Sequence, residues 1–157
     1  MRILLDTTYL LPLIGISINN IPDDLLLKLI DKGYNLYISS ISLFELIAKG
    51  ARYSSKGLIP AERILRGVNA IVHNDKILKV DYTASEIIVT AIRLREVVED
   101  FIDCIILSTA LNCCDMLLTE DRDIHNTMED PLFKELKREL NPNIRIIGYV
   151  DLGKNLP

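Results

Sequence analysis

The chain has 157 residues, of which 49% are hydrophobic and 25% charged, a balance that excludes a disordered or low-complexity protein. Its net charge of -4 argues against a nucleic-acid binder coated in positive charge, but is compatible with a local basic patch. Asp6 and Pro12 interrupt the apolar N-terminal stretch, so neither a transmembrane span nor a signal peptide is expected. These features predict a single domain over residues 1–157, in the cytoplasm and away from membranes.

Short apolar runs alternate with helical patterns along the chain. Strands are predicted at residues 2–5, 34–38, 76–80, 115–119 and 144–150. Helices are predicted at residues 25–31, from about 42 to Gly50 or slightly beyond, and at 60–72, 83–98, 100–114 and 130–140. Residues 51–60 are predicted to contain a flexible loop. This alternation indicates an α/β fold with a central parallel sheet of about five strands and helices on both faces.

The three cysteines, Cys104, Cys113 and Cys114, include an adjacent pair and match no zinc-binding spacing. We expect them to be reduced, buried, intracellular thiols. His73 lies at a polar helix end and His125 in a predicted polar loop, and both are expected to be surface residues rather than catalysts.

Four carboxylates stand where the chain should leave a strand or enter a helix. Asp6 and Asp121 follow predicted strands, Glu45 lies one turn into the helix after the second strand, and Asp103 lies in the first turn of a nearly apolar helix. Ligands in open parallel sheets gather beyond the carboxyl ends of the strands. We therefore expect these four side chains to meet at one edge of the sheet.

Each of these acids could instead cap a helix. Ser42 and Glu45 have the spacing of a capping box, as do Asp100 and Asp103. Four caps at one edge, however, would raise each other's pKa by repulsion unless a cation lay among them. A cluster of carboxylate oxygens suits Mg²⁺ or Mn²⁺, which can ionise a water and neutralise charge on a phosphodiester.

At these residues the chain resembles the PIN-domain family of nucleases. The likeness consists of an apolar strand before Asp6-Thr7-Thr8, the run 42–46 around Glu45, the run 103–110 after Asp103, and the run 117–123 around Asp121. The motifs appear in family order over residues 2–124. The resemblance implies a single PIN-like domain that is a metal-dependent endoribonuclease, with Asp6, Glu45, Asp103 and Asp121 as ligands of Mg²⁺ or Mn²⁺.

The same resemblance assigns further roles. Thr119 would orient the last acid or a bound water, and Asp123 matches a frequent additional acid of the family. Glu120 departs from the family pattern and adds a carboxylate next to Asp121, which could alter metal affinity or simply face solvent. Many small members of the family are toxins of VapBC-type pairs, restrained by a small antitoxin protein, and homodimers are common among them. Cys104 stands where the family usually has alanine, a small substitution that should be tolerated.

Three basic residues, Lys49, Arg52 and Lys56, recur at helical spacing after Glu45 and could contact the phosphates of single-stranded RNA, with Tyr53 as a stacking surface. They could equally form a solvated helix face. Two alternatives also remain for the whole chain: a PIN-like module that binds RNA or protein without catalysis, and a nuclease of RNA processing rather than a toxin. An aspartyl phosphatase is disfavoured because Thr8 occupies the position of its second acid.

Overall fold

The computed structural model describes the backbone of residues 1–155 and the side chains of residues 1–153. Five parallel strands form one sheet with the order β3-β2-β1-β4-β5. The strands are β1 (Arg2–Leu5), β2 (Asn35–Ser39), β3 (Ile77–Val80), β4 (Met116–Leu118) and β5 (Arg145–Ile147). The predicted α/β fold with a five-stranded parallel sheet is confirmed.

Helices connect all of these strands. A 3-10 helix spans Thr7–Ile14 directly after β1. The α-helices are α1 (Leu25–Asp31), α2 (Ser40–Ser55), α3 (Ala61–Val72), α4 (Ser85–Leu94), α5 (Phe101–Cys113), α6 (Arg122–Thr127), α7 (Pro131–Leu140) and α8 (Tyr149–Asn155). No helix in the described part of the chain is long and apolar enough to cross a membrane.

The central strands are apolar because both of their faces are covered. Successive side chains of a strand point to opposite faces, so Ile3 and Leu5 enter one core while Leu4 enters the other. The first core lies under the 3-10 helix, α1, α2 and α3, and the second lies under α4, α5 and α7. Two-sided burial of this kind is typical of parallel sheets.

The register of β1 and β4 determines where the site forms. Leu5 is paired with Leu118, and the N–H of Asp6 donates to the Leu118 carbonyl at 3.1 Å. The residues that follow these two strands therefore leave the sheet side by side, although they are more than one hundred positions apart in the chain.

Two predictions about the elements were wrong. Residues 51–60 are not a loop throughout, because α2 continues to Ser55. Gly50 does not end that helix but allows α3 to approach it: a Cβ at Gly50 would lie 2.7 Å from Ile64 Cγ2. The last strand ends at Ile147 rather than at residue 150, and Tyr149 already begins α8.

Candidate active site

The hydroxyl of Thr119 joins the ends of β1 and β4. It donates to Asp6 Oδ2 at 2.8 Å and accepts from the N–H of Asp121 at 3.0 Å. Thr119 is fully buried and Asp6 is only 6% exposed. The second oxygen of Asp6, Oδ1, accepts from the N–H of Thr7 at 2.6 Å. The buried carboxylate is therefore held in a fixed orientation by two donors on different strand ends.

Glu45 reaches the same place from α2. Its Oε2 accepts a 2.5 Å hydrogen bond from the Thr7 hydroxyl, so the residue after Asp6 fixes the position of Glu45. Its Oε1 lies 2.8 Å from Lys49 Nζ, one helical turn further along α2. Lys49 is therefore a cation at the edge of the acidic group.

Asp103 contributes the fourth carboxylate from the first turn of α5. Its pKa is raised to about 7, first by burial and then by the charges of Asp121, Asp100, Asp6 and Glu45. Burial likewise raises the pKa of Asp6 to about 6, against the hydrogen bonds from Thr119 and Thr7 that lower it. We call Asp6, Glu45, Asp103 and Asp121 the carboxylate quartet; the structure brings these acids of four different segments within electrostatic range of one another.

Capping accounts for part of this arrangement. Asp6 caps the 3-10 helix, and Oδ1 of Asp121 caps α6 by accepting from the N–H groups of Asp123 and Ile124. Asp100 is the N-cap of α5, the position that the predicted capping box with Asp103 gives it, and its carboxylate accepts from the N–H of Ile102. Capping thus explains why Asp6 and Asp121 stand at helix starts, but it gives no role to Asp103.

The capping box proposed for Ser42 and Glu45 does not form. α2 begins at Ser40, so Ser42 lies inside the helix, and its buried hydroxyl has no hydrogen-bond partner among the described residues. Glu45 is therefore not held at the site by a local cap. Its partners are Thr7 and Lys49.

A sequence model described as "PIN domain" matches residues 3–129. The chain belongs to the PIN-domain family. Members of this family are generally nucleases. The fold is also similar to a solved structure titled "Crystal structure of VapBC2 from Rickettsia felis bound to a DNA fragment from their promoter". That match has a TM-score of 0.58 at 21% identity and covers 94% of this chain and 98% of the other. No curated protein sequence matches the chain.

The donor set of this PIN domain suits a hard divalent cation, since the quartet offers only carboxylate oxygens. Among residues 1–153, however, no group of three or more His, Cys, Asp or Glu side chains is arranged to hold a metal ion. Glu45 is turned toward Thr7 and Lys49, and Asp6 toward Thr7 and Thr119. Binding an ion at this edge would therefore require side-chain rotation in addition to the correct donors.

The two candidate additional acids differ in their surroundings. Oε1 of Glu120 accepts hydrogen bonds from the Tyr9 hydroxyl and from the N–H of Tyr149. Asp123 is exposed, and its N–H donates to Asp121. Glu120 is thus attached to the 3-10 helix and α8, whereas the Asp123 side chain is open to solvent beside the quartet.

The basic residues predicted to contact RNA lie along α2 and at its end. Arg52 and Lys56 are exposed, and Lys49 is half-buried against Glu45. A cavity of about 240 Å³ beside them is lined by apolar, basic and aromatic side chains: Leu11, Ile16, Ile18, Lys49, Arg52 and Tyr53. The basic stripe is therefore contiguous with the quartet through the Glu45–Lys49 ion pair.

Tyr9 and Tyr149 were not identified from the sequence, and His125 was expected at the surface in a loop. Tyr9 is completely buried, and burial together with the Glu120 hydrogen bond raises the pKa of its hydroxyl. Tyr149 provides the second donor to Glu120. His125 lies in α6 rather than in a loop, half-buried, with Nε2 3.0 Å from the Thr119 carbonyl oxygen. A buried tyrosine needs a hydrogen-bond partner, and that requirement was the one signal available for Tyr9.

The burial expected for the cysteines is found for two of the three, and the surface position expected for His73 is found. Cys104 and Cys114 are buried and Cys113 is half-buried, all as free thiols. Burial raises the pKa of Cys104 to about 11 and that of Cys114 to about 12, so both are protonated and poorly nucleophilic. His73 is exposed at the end of α3.

Proposed function

We propose that this protein is a Mg²⁺- or Mn²⁺-dependent endoribonuclease that hydrolyses phosphodiester bonds of single-stranded RNA. The observation that carries the proposal is the Thr119 hydroxyl, which binds Asp6 and the Asp121 backbone together at the carboxyl ends of β1 and β4. Glu45 and Asp103 lie within electrostatic range of this pair. Membership of a family of nucleases supports the reaction class.

Asp6, Glu45, Asp103 and Asp121 are the proposed metal ligands. When bound, a divalent ion supplies an activated water and offsets the charge that develops on the phosphodiester during in-line attack. Thr119 orients Asp6, and Thr7 orients Glu45. Lys49, which already neutralises one oxygen of Glu45, is placed to exchange this contact for a substrate phosphate.

The RNA is proposed to lie along α2. Arg52 and Lys56 would contact its phosphates and Tyr53 would stack on a base, which favours a flexible single strand over a duplex. Tyr53 is 37% exposed, so its ring is accessible to a base.

We further propose that the protein is the toxin of a VapBC-type pair, with a small antitoxin protein as partner, and that it acts as a cytoplasmic homodimer. The shared fold with VapBC2 of Rickettsia felis supports the first proposal. Val89 and Ile92, each 58% exposed on α4, are candidates for a contact between copies. Light scattering should give a dimer mass for the wild type and a monomer mass for the V89E/I92E variant; a monomeric wild type would contradict the homodimer.

Cleavage of a labelled single-stranded RNA tests the activity. Wild type, Asp6→Asn, Asp103→Asn and the control Asp75→Asn, which changes an exposed loop acid, are compared in Mg²⁺, Mn²⁺ and EDTA. We expect metal-dependent cleavage that falls at least 100-fold, or about 3 kcal/mol of transition-state stabilisation, in both quartet variants and persists in the control. Cleavage that survives both quartet variants would place the activity elsewhere or in a contaminant.

Calorimetry with Mn²⁺ and growth of cells that express the protein distinguish the proposed toxin nuclease from a non-catalytic module and from an RNA-processing nuclease. Calorimetric binding of Mn²⁺ without cleavage would support the metal site and refute the choice of RNA substrate. Neither binding nor cleavage would favour a non-catalytic module. Growth arrest on expression of the wild type, but not of Asp6→Asn, would support a toxin; growth unaffected by an active enzyme would favour an RNA-processing nuclease.

A further inference from the structure

Glu120 lies between Thr119 and Asp121 in the chain, yet its carboxylate binds a different part of the molecule. Oε1 accepts from the hydroxyl of Tyr9 and, at 2.6 Å, from the N–H of Tyr149. Tyr9 belongs to the 3-10 helix that follows Asp6, and Tyr149 is the first residue of α8. Glu120 thus joins three segments that are far apart in the sequence.

The backbone next to this carboxylate leaves it little space. A Cβ at Gly148 would lie 3.1 Å from Glu120 Oε1 and 3.4 Å from Oε2. Gly148, between β5 and α8, therefore permits the chain to pass directly against the carboxylate. Glu120 as a whole is exposed to solvent, but its carboxylate has this close backbone neighbour on one side.

The Tyr9–Glu120 bond connects the same two chain segments as the Thr119–Asp6 bond. Tyr9 is three residues after Asp6, and Glu120 is next to both Thr119 and Asp121. The bonded residues are 113 positions apart in the first pair and 111 in the second. A single hydrogen bond would let the two segments rotate about it, whereas two bonds restrain that rotation. Tyr9 is suited to this role because its ring is completely buried and cannot swing away.

We propose that Glu120 is a positioning residue rather than a metal ligand: held by Tyr9 and Tyr149, it fixes the segment that carries Thr119 and Asp121 against the segment that carries Asp6. This inference rests on the proposed function, since its effect is exerted through the quartet. Groups that hydrogen-bond the metal ligands themselves commonly change metal affinity by 10- to 100-fold when they are removed. Glu120 acts one contact further from the quartet, so its effect should lie at the lower end of that range.

Because Glu120 accepts from two donors, a glutamine substitution can distinguish a positioning residue from a metal ligand. Both the Tyr9 hydroxyl and the Tyr149 N–H donate to one oxygen, Oε1. A glutamine amide has a carbonyl oxygen in the same place and can accept both bonds. If Glu120 instead bound the metal directly, the change to glutamine would remove the negative charge that attracts the ion, and metal affinity would fall.

The experiment compares Glu120→Ala, Glu120→Gln and Tyr9→Phe with the wild type and with Ile77→Val. Ile77 is buried in β3, at the far edge of the sheet from β4, so its variant controls for modest loss of stability. Mn²⁺ affinity by calorimetry, and kcat and KM for RNA cleavage, are measured well below each variant's melting temperature.

We expect Glu120→Ala and Tyr9→Phe each to weaken Mn²⁺ binding about tenfold and to lower kcat, with KM for RNA changed less than about twofold. Glu120→Gln should keep at least half of the wild-type affinity and kcat, and Ile77→Val should match the wild type. The Tyr9→Phe/Glu120→Ala double variant should be no worse than Glu120→Ala alone, because Glu120→Ala already removes the only bond to Glu120 that Tyr9→Phe removes.

Two results would overturn the inference while the wild type still binds Mn²⁺ and cleaves RNA. One is wild-type affinity and kcat in Glu120→Ala. The other is a loss in Glu120→Gln as large as in Glu120→Ala, which would make Glu120 a direct ligand. A wild type that neither binds Mn²⁺ nor cleaves RNA would refute the proposed function itself, and the positioning role with it.

Discussion

Thr119 and Asp6, 113 residues apart in the chain, share a 2.8 Å hydrogen bond in which the threonine hydroxyl is the donor. Both side chains are buried, so water cannot replace a lost donor easily. The Thr119→Val substitution keeps the shape and removes the hydroxyl. It should lower the free energy of unfolding by about 1.5–3 kcal/mol, the usual range for a hydrogen bond to a charged group.

Urea unfolding of Thr119→Val beside Thr119→Ser checks this prediction. The serine variant retains a donor and should lose about 1 kcal/mol or less, mainly through the missing methyl group. If valine proves no more damaging than serine, the hydroxyl is not what stabilises buried Asp6.

The raised pKa values of Asp6 and Asp103, about 6 and about 7, predict an unusual pH dependence for the metal-free protein. Between about pH 4 and pH 7 the folded state retains protons that the carboxyls of the unfolded chain have already released. The free energy of unfolding from these two groups should therefore fall as the pH rises through that window. Melting temperatures in EDTA measure the trend, and Asp103→Asn should flatten it while Asp75→Asn does not.

Added Mn²⁺ should act in the opposite direction. Its ligands must be deprotonated, so the increase in melting temperature should be larger at about pH 7.5 than at about pH 5.5. EDTA should abolish the increase. An equal increase at both pH values would mean that the ion binds outside the quartet.

Replacement of Arg52 and Lys56 by alanine should affect binding of RNA more than the chemical step. Both residues are exposed on or next to α2, and neither belongs to the quartet. We expect a several-fold higher KM, a kcat within about twofold, and a salt dependence of binding reduced by about 1.4 in slope, or 0.7 for each lost phosphate contact on a single strand. Fluorescence anisotropy at several salt concentrations measures the slope, and Lys134→Ala on α7 is the control.

Gly67 allows α3 to touch the 3-10 helix that begins at Thr7. A Cβ at this position would lie 2.2 Å from the carbonyl oxygen of Leu13 and 2.9 Å from the Cα of Ile14. Gly67→Ala should therefore force the two helices apart and cost about 3 kcal/mol or more of stability. Chemical denaturation of Gly153→Ala is the comparison, since nothing lies within 4 Å of that Cβ and the helix should gain up to about 1 kcal/mol.

The sheet was predictable because its strands carry a local signal. The apolar runs around Leu4 and Leu117 are buried on both faces and could not be mistaken for surface. The ends of the helices were less predictable where a glycine allows two helices to pack closely. Gly50 looks like a helix end in sequence, but its role depends on Ile64 of another helix.

In the site too, residues with a local sequence signal could be predicted and residues placed by tertiary contacts could not. Asp6 and Asp121 could be placed at one edge because each follows a strand, and strand ends have a common direction in a parallel sheet. The partners of Glu120 could not be predicted, because Tyr9 is 111 residues away in the chain. The two residues come together only because β1 and β4 are neighbours in the sheet and the 3-10 helix turns Tyr9 toward Glu120. The position of Glu45 likewise depends on Thr7, which no pattern within α2 indicates.

Pairing of β1 with β4 also affects the order of events during synthesis. β1 is made before β4, and Asp6 gains its neighbours Thr119 and Asp121 only after more than one hundred further residues have been translated. Contacts of such long sequence separation are slow to form, since a large loop must close before they contribute. A growing chain therefore contains no assembled quartet before Asp121 has been made, and any activity that depends on the quartet begins only after that point.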